Sequence, residues 1–136
     1  MRLDKLRKLK KLTSFLLVIM GRLRPANVTP ILLYHSVDTS NSVISVHPEQ
    51  FKCQMRYLQE QGYRTISLAH YVDCLRTGAK APPKSVVITF DDGFKNNYTE
   101  AFPILKRNGH TATIFLSTGQ VGGKSTWERH PSIPEL

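Results

Sequence analysis

The fold turns on Ser85-Val86-Val87-Ile88-Thr89-Phe90-Asp91-Asp92-Gly93 (SVVITFDDG, residues 85–93). Its first six residues are uncharged and rich in β-branched and aromatic side chains, which makes this the clearest strand of the chain. Two adjacent carboxylates follow where the strand runs out. Gly93 then permits the backbone angles of a sharp turn. In parallel α/β folds the loops at the carboxyl ends of the strands converge, and sites are built there.

On the N-terminal side the same rhythm recurs. Ile31 to Tyr34 (ILLY) is a short continuous apolar run, the pattern of a strand buried on both faces. Pro48 opens a helix in which Phe51, Met55 and Leu58 form one stripe, and Gly62 ends it. Tyr63 to Ser67 (YRTIS) reads as a second strand. Ser67 caps a second helix with Leu68, Tyr71, Val72 and Leu75 turned inward and Gly78 as its stop. On the C-terminal side a helix starts at Asn97 or Thr99 and runs through Phe102, Leu105 and Lys106 to Gly109, with Pro103 tolerable only in a first turn. Thr111 to Ser117 (TATIFLS) supplies a fourth strand. Strands alternating with helices predict βαβ units in an α/β fold with a parallel sheet or barrel. Residues 119–136 are rich in Gly, Pro and Ser and hold no closing element, so the expectation is a barrel whose domain continues past Leu136.

With 40% apolar and 21% charged residues, disorder is excluded over most of the 136-residue chain, which has room for one domain. The net charge of +9 raises nucleic-acid binding as a function, but the charge is confined. Residues 1–24 hold eight of the 19 basic residues against Asp4 alone, whereas residues 25–136 hold eleven basic against nine acidic. A nucleic-acid binder would spread cations over its folded surface, one for each phosphate contact. No nucleic acid partner is therefore expected.

The 1–24 arm has Leu3, Leu6, Leu9 and Leu12 among lysines, which suits either a basic amphipathic leader on an anionic membrane surface or a solvated tail. Its apolar run Phe15 to Met20 is far short of the ~20 residues of a span. Gly21 is followed by Arg22, Leu23 and Arg24, unlike a signal cleavage site. These features favour a membrane-peripheral or cell-envelope location and leave a cytoplasmic one open. Cys53 and Cys74 form no CxxC pair and read as small core residues in helices.

Adjacent carboxylates such as Asp91 and Asp92 repel, and both ionise comfortably only beside a cation or hydrogen-bond donors. A metal would satisfy that need, with one carboxylate as ligand and the other as base. Taken alone, Asp-Asp-Gly is a common turn. The other chemical candidate is His35, at the end of Leu33-Tyr34-His35, because imidazole is the usual proton donor near neutral pH.

The full string SVVITFDDGF, followed by a helix and TATIFL, resembles the first motif of the polysaccharide deacetylase family, carbohydrate esterase family 4, whose homology domain is shared with NodB-like chitooligosaccharide deacetylases. The resemblance covers about residues 30–130. It implies a distorted parallel (β/α) barrel of the polysaccharide deacetylase type, of which residues 25–136 would be the N-terminal part. It also implies a metal-dependent hydrolase that removes N-acetyl groups from an N-acetylated amino-sugar polymer. By resemblance, Asp91 is the catalytic base and Asp92 a metal ligand. A permuted subgroup, similar to enzymes that deacetylate poly-N-acetylglucosamine, carries a Leu-x-His motif before the Asp pair. On that placement Leu33 lines the acetyl-methyl pocket and His35 is the catalytic acid. The implied cofactor is a divalent metal ion, zinc first, with cobalt or nickel as substitutes.

The family's His-(Ser/Thr)-x-x-His metal segment has no counterpart, since His47, His70, His110 and His130 are scattered and read as structural or surface groups. Trp127 and Arg129 resemble residues of a loop leading towards that segment. The competing expectation is a non-catalytic carbohydrate-binding or membrane-tethered scaffold that keeps the fold without the metal. A phosphoryl-transfer enzyme with Asp91 as nucleophile would need a phosphate-binding Gly-rich loop, and none is present.

Overall fold

A computed structural model describes residues 28–123. The basic 1–24 arm, Trp127, Arg129 and His130 lie outside the described residues. In chain order the elements are β1 (Ile31–Tyr34), β2 (Ser36–Val37), β3 (Ser45–Val46), α1 (Pro48–Glu60), β4 (Arg64–Thr65), α2 (Leu68–Thr77) and β5 (Ser85–Phe90). A π-helical turn (Asn97–Ala101), α3 (Phe102–Arg107), β6 (Thr113–Ile114) and a 3₁₀ turn (Thr118–Gln120) complete the order. Strand β5 is central: β1 pairs along one edge, while β4 pairs with its start and β6 with its end on the other path. The pairings of β5 with β1, β4 and β6 are parallel, as the alternation of strands and helices requires, and the short β2–β3 pair is parallel too although only a loop joins it.

The helix boundaries follow from local chemistry. His47 caps α1 by accepting from the Glu49 N–H at 3.3 Å, and Pro48 occupies the first turn, where a missing N–H costs nothing. At the other end the Gly62 N–H donates to Gln59 O and the Tyr63 N–H to Leu58 O, a Schellman closure that needs the left-handed φ of +71° at Gly62. Ser67 caps α2 through the His70 N–H at 3.1 Å, and Gly78 ends it. The third helix begins differently from expectation. The chain enters it through the π turn Asn97–Ala101, in which Phe102 N–H donates to Asn97 O, and Pro103 follows within the first turn of α3. A wider turn relieves the clash that a proline ring makes with the carbonyl four residues back.

The core lies on one face of the sheet. Val86, Ile88 and Phe90 of β5 meet Phe51, Met55 and Leu58 of α1 and Leu105 of α3. Four sequence expectations change here. Strand β1 is not buried on both faces: Leu32 and Tyr34 pack against the core, but Ile31 and Leu33 are 49% and 57% exposed. The paired parts of YRTIS and TATIFLS shrink to Arg64–Thr65 and Thr113–Ile114. In α2 the buried residue is Cys74, with Leu68 and Tyr71 half-buried, while Val72 and Leu75 face outward. A stripe at 68, 71 and 74 is also helical, and the small thiol allows close approach to the sheet. Cys53, by contrast, is exposed, and both cysteines are free.

Candidate active site

Backbone register brings the two motifs together. Leu33 pairs with Thr89 and Tyr34 with Phe90, and the ladder extends one step further through the Asp91 N–H to Tyr34 O at 2.9 Å. Side chains alternate across a strand, so Leu33, Thr89 and Asp91 fall on the face opposite the core. His35 follows at the end of β1, and its Nε2 lies 3.9 Å from Asp91 Oδ2, with both side chains about one-third exposed. Residues 56 positions apart in sequence thus form an imidazole–carboxylate pair at the carboxyl ends of adjacent strands.

Asp92 takes a positive φ of +68° and Gly93 one of +69°, so the turn is left-handed at two successive residues. Aspartate tolerates this region better than most residues, and glycine is indifferent to it. Asp92 accepts a hydrogen bond from Ser117 Oγ at 3.4 Å. Asp91, Asp92, Phe115, Leu116 and Ser117 line an open depression, and Leu33 lies outside that lining. At Gly93 an added Cβ would stand 2.4 Å from Leu116 Cδ2. Gly93→Ala should therefore cost about 1–2 kcal/mol from the left-handed backbone and displace Leu116 from the depression. Chemical denaturation checks the first effect, and an unchanged midpoint would refute it.

Two residues that the sequence did not mark as site residues, one of them the possible helix start Asn97, sit behind this pair. Asn96 Nδ2 donates to Ser36 Oγ at 2.7 Å and to Asp38 Oδ2 at 3.2 Å, and its Oδ1 accepts from the Val37 N–H at 3.2 Å. Asn97 has its amide nitrogen 2.8 Å from His35 O and 3.3 Å from Asn96 Oδ1, with its oxygen accepting from the Phe94 N–H at 3.2 Å. The orientation of the Asn97 amide is assigned from these neighbours, because the opposite one would set its oxygen against His35 O and Asn96 Oδ1 and its nitrogen against the Phe94 N–H. Both asparagines are buried, at 9% and 4% exposure. The sequence signal was the polar Asn-Asn step just after the turn, which hydrophobic periodicity does not register.

Burial pushes the Asp38 carboxyl up, but hydrogen bonds from the Ser36 and Ser40 hydroxyls, the Ser40 backbone and Ser45 outweigh it and hold the group below the usual carboxylate range. A lowered folded value means that the stabilisation is present above the unfolded value of about 3.9 and disappears as pH falls through the folded one. Asp38→Asn should thus lose less stability than wild type between neutral and strongly acidic pH. Parallel acid limbs in the two melting curves would refute this.

The remaining histidines match the structural reading where they are described. His47 is a cap, His110 Nε2 bonds Met55 O at 2.9 Å, and His70 lies 3.8 Å from Cys74 Sγ. Among the described residues no group of three or more His, Cys, Asp or Glu side chains converges into a ready-made metal site. The donor type suits a divalent cation, but the described set does not by itself complete a coordination shell.

Residues 78–133 match the family model for polysaccharide deacetylase. Over that segment, which carries the Asp pair, the chain is similar to polysaccharide deacetylases. Its relatives include the Bacillus subtilis (strain 168) protein YxkH, 40% identical over 101 residues, 74% of this chain and 36% of that protein. A poly-beta-1,6-N-acetyl-D-glucosamine N-deacetylase of Staphylococcus aureus is 34% identical over 121 residues, 88% of this chain and 41% of that enzyme. The solved structure of IcaB from Ammonifex degensii superposes with a TM-score of 0.68 at 33% identity, covering 78% of this chain and 44% of that one. The chain thus spans about two-fifths of the length of each of these two relatives. Among the described residues no helix is long and apolar enough to cross a membrane.

Proposed function

We propose that the protein is a metal-dependent hydrolase that removes N-acetyl groups from an N-acetylhexosamine polymer, with poly-N-acetylglucosamine as the substrate class suggested by its relatives. The observation that carries this reading is the approach of His35 Nε2 to within 3.9 Å of Asp91 Oδ2, beside a second carboxylate in an open depression. Amide hydrolysis needs a proton acceptor for water and a proton donor for the departing amine. Asp91 is the acceptor and His35 the donor.

Asp92 would hold the divalent metal, zinc first with cobalt or nickel as substitutes, which when bound would make water acidic enough to lose a proton near neutral pH. Asp91 takes the proton of the attacking water, and His35 delivers one to the amine nitrogen as the C–N bond breaks. Acetate and a free amine result. Leu33, on the same face as Asp91, would contact the acetyl methyl once substrate bridges the strand ends. The full-length protein should release acetate from poly-N-acetylglucosamine and stop doing so after chelation, with recovery on adding zinc. No acetate from any N-acetylated hexosamine polymer would overturn the hydrolase assignment, and chelator-resistant release would overturn the metal.

A further inference from the structure

Beyond Tyr34 and Phe90 the β1–β5 ladder stops after one more bond, yet the next residues carry the candidate acid. Along one edge of the 35–38 segment the pairing is ordinary: Ser36 N–H donates to Ile44 O at 3.3 Å and Asp38 N–H to Val46 O at 3.0 Å. On its other edge the partners are side chains. Asn97 Nδ2 meets His35 O and Asn96 Oδ1 meets the Val37 N–H, so two side-chain amides continue the alternation that a neighbouring strand would supply.

Both amides stand on the segment that begins with the Asp pair, five and six residues after Asp91. The backbone between is tight: Asp92 and Gly93 are left-handed, and Asn97 N–H bonds Phe94 O at 2.8 Å. A displacement of the His35 backbone relative to Asp91 therefore breaks a buried hydrogen bond. Breaking it would strand a polar group away from water.

Resting on the deacetylase reading, we propose that Asn96 and Asn97 are positioning residues for His35, a double amide clamp that sets the separation between proton donor and proton acceptor. Asn97 fixes the backbone of the acid directly. Asn96 holds the segment behind it through Val37, Ser36 and Asp38, and accepts from Asn97, so the pair acts as one unit. Neither touches the substrate in this role.

The test uses the full-length protein and three variants. Asn97→Asp keeps an oxygen for the Phe94 N–H and loses the donation to His35 O, with almost no change in volume. It should lower kcat by about 10- to 100-fold with KM within about twofold, the size of a small misplacement of a catalytic group. It should also shift the alkaline limb of the pH–kcat profile and the NMR titration of the His35 ring. Asn96→Ala should raise exchange of the buried Val37 amide at least about tenfold by removing its acceptor. Ser36→Ala, which removes one acceptor of Asn96, gives a milder change of the same sign and is read if either asparagine variant fails to fold. A folded Asn97→Asp with unchanged kcat, alkaline limb and ring titration would overturn the clamp, as would unchanged Val37 exchange in Asn96→Ala. If wild-type protein releases no acetate, the deacetylase reading falls, and ring titration and amide exchange still decide the clamp.

Discussion

Asp91→Asn and Asp92→Asn are expected to abolish acetate release for different reasons, and metal analysis beside the assay separates them. Asp91 faces His35 and is proposed as the proton acceptor for water, so its amide should cost on the order of 10²–10⁴ in rate while bound metal is retained. Added metal should not restore this variant. Asp92→Asn should lose bound metal and regain part of its activity at high metal concentration. The comparison is clean at the backbone, because Asp92 sits at a φ of +68° and asparagine is among the residues that tolerate the left-handed region. The substitution changes the charge without forcing the turn. Metal loss from Asp91→Asn with retention in Asp92→Asn would reverse the two roles. Full metal and activity in both would reduce the Asp pair to a turn.

Phe51→Ala carries the largest expected effect on stability, about 3–5 kcal/mol by chemical denaturation. Its ring is fully buried, edge-on to Tyr34 at 5.0 Å and to Phe90 at 5.9 Å, and those two stack at 5.5 Å. Truncation removes the ring that both others lean on and leaves a cavity that close-packed neighbours cannot fill. Tyr34 precedes His35 and Phe90 precedes Asp91, so the same aromatic trio supports the candidate site from below. Tyr57→Ala on the same helix is the control: at 58% exposure its effect should stay within about 0.5 kcal/mol. A Phe51→Ala loss below about 1 kcal/mol would contradict the packing described here.

Much of this was legible in the chain itself because it depends on neighbours in sequence. The caps at Ser67 and Gly62, the 51–55–58 stripe and the turn after Phe90 follow from local sterics and periodicity, and the structure has them. Parallel pairing followed from the alternation of strand and helix. Inner and outer faces were harder. The ILLY run has apolar residues at every position, so its pattern does not distinguish a strand covered on both faces from one that leaves Ile31 and Leu33 exposed. In α2, likewise, two apolar stripes were available, and packing against β5 selected the one ending in Cys74.

Taken by itself, the sequence determined the α/β class and the order of the longer strands and helices, and it marked Asp91, Asp92 and His35 as candidates for site chemistry, because strand-end carboxylates and an imidazole are set by residue type and local pattern; the short β2 and β3 went unread. Only the tertiary structure decided that His35 and Asp91 meet, through a β1–β5 register whose backbone bonds join residues more than fifty positions apart. The same holds for Asn96 and Asn97. A buried amide is informative only through its partners, and those partners, His35 O and the Val37 N–H, are brought to it by folding rather than by any spacing along the chain.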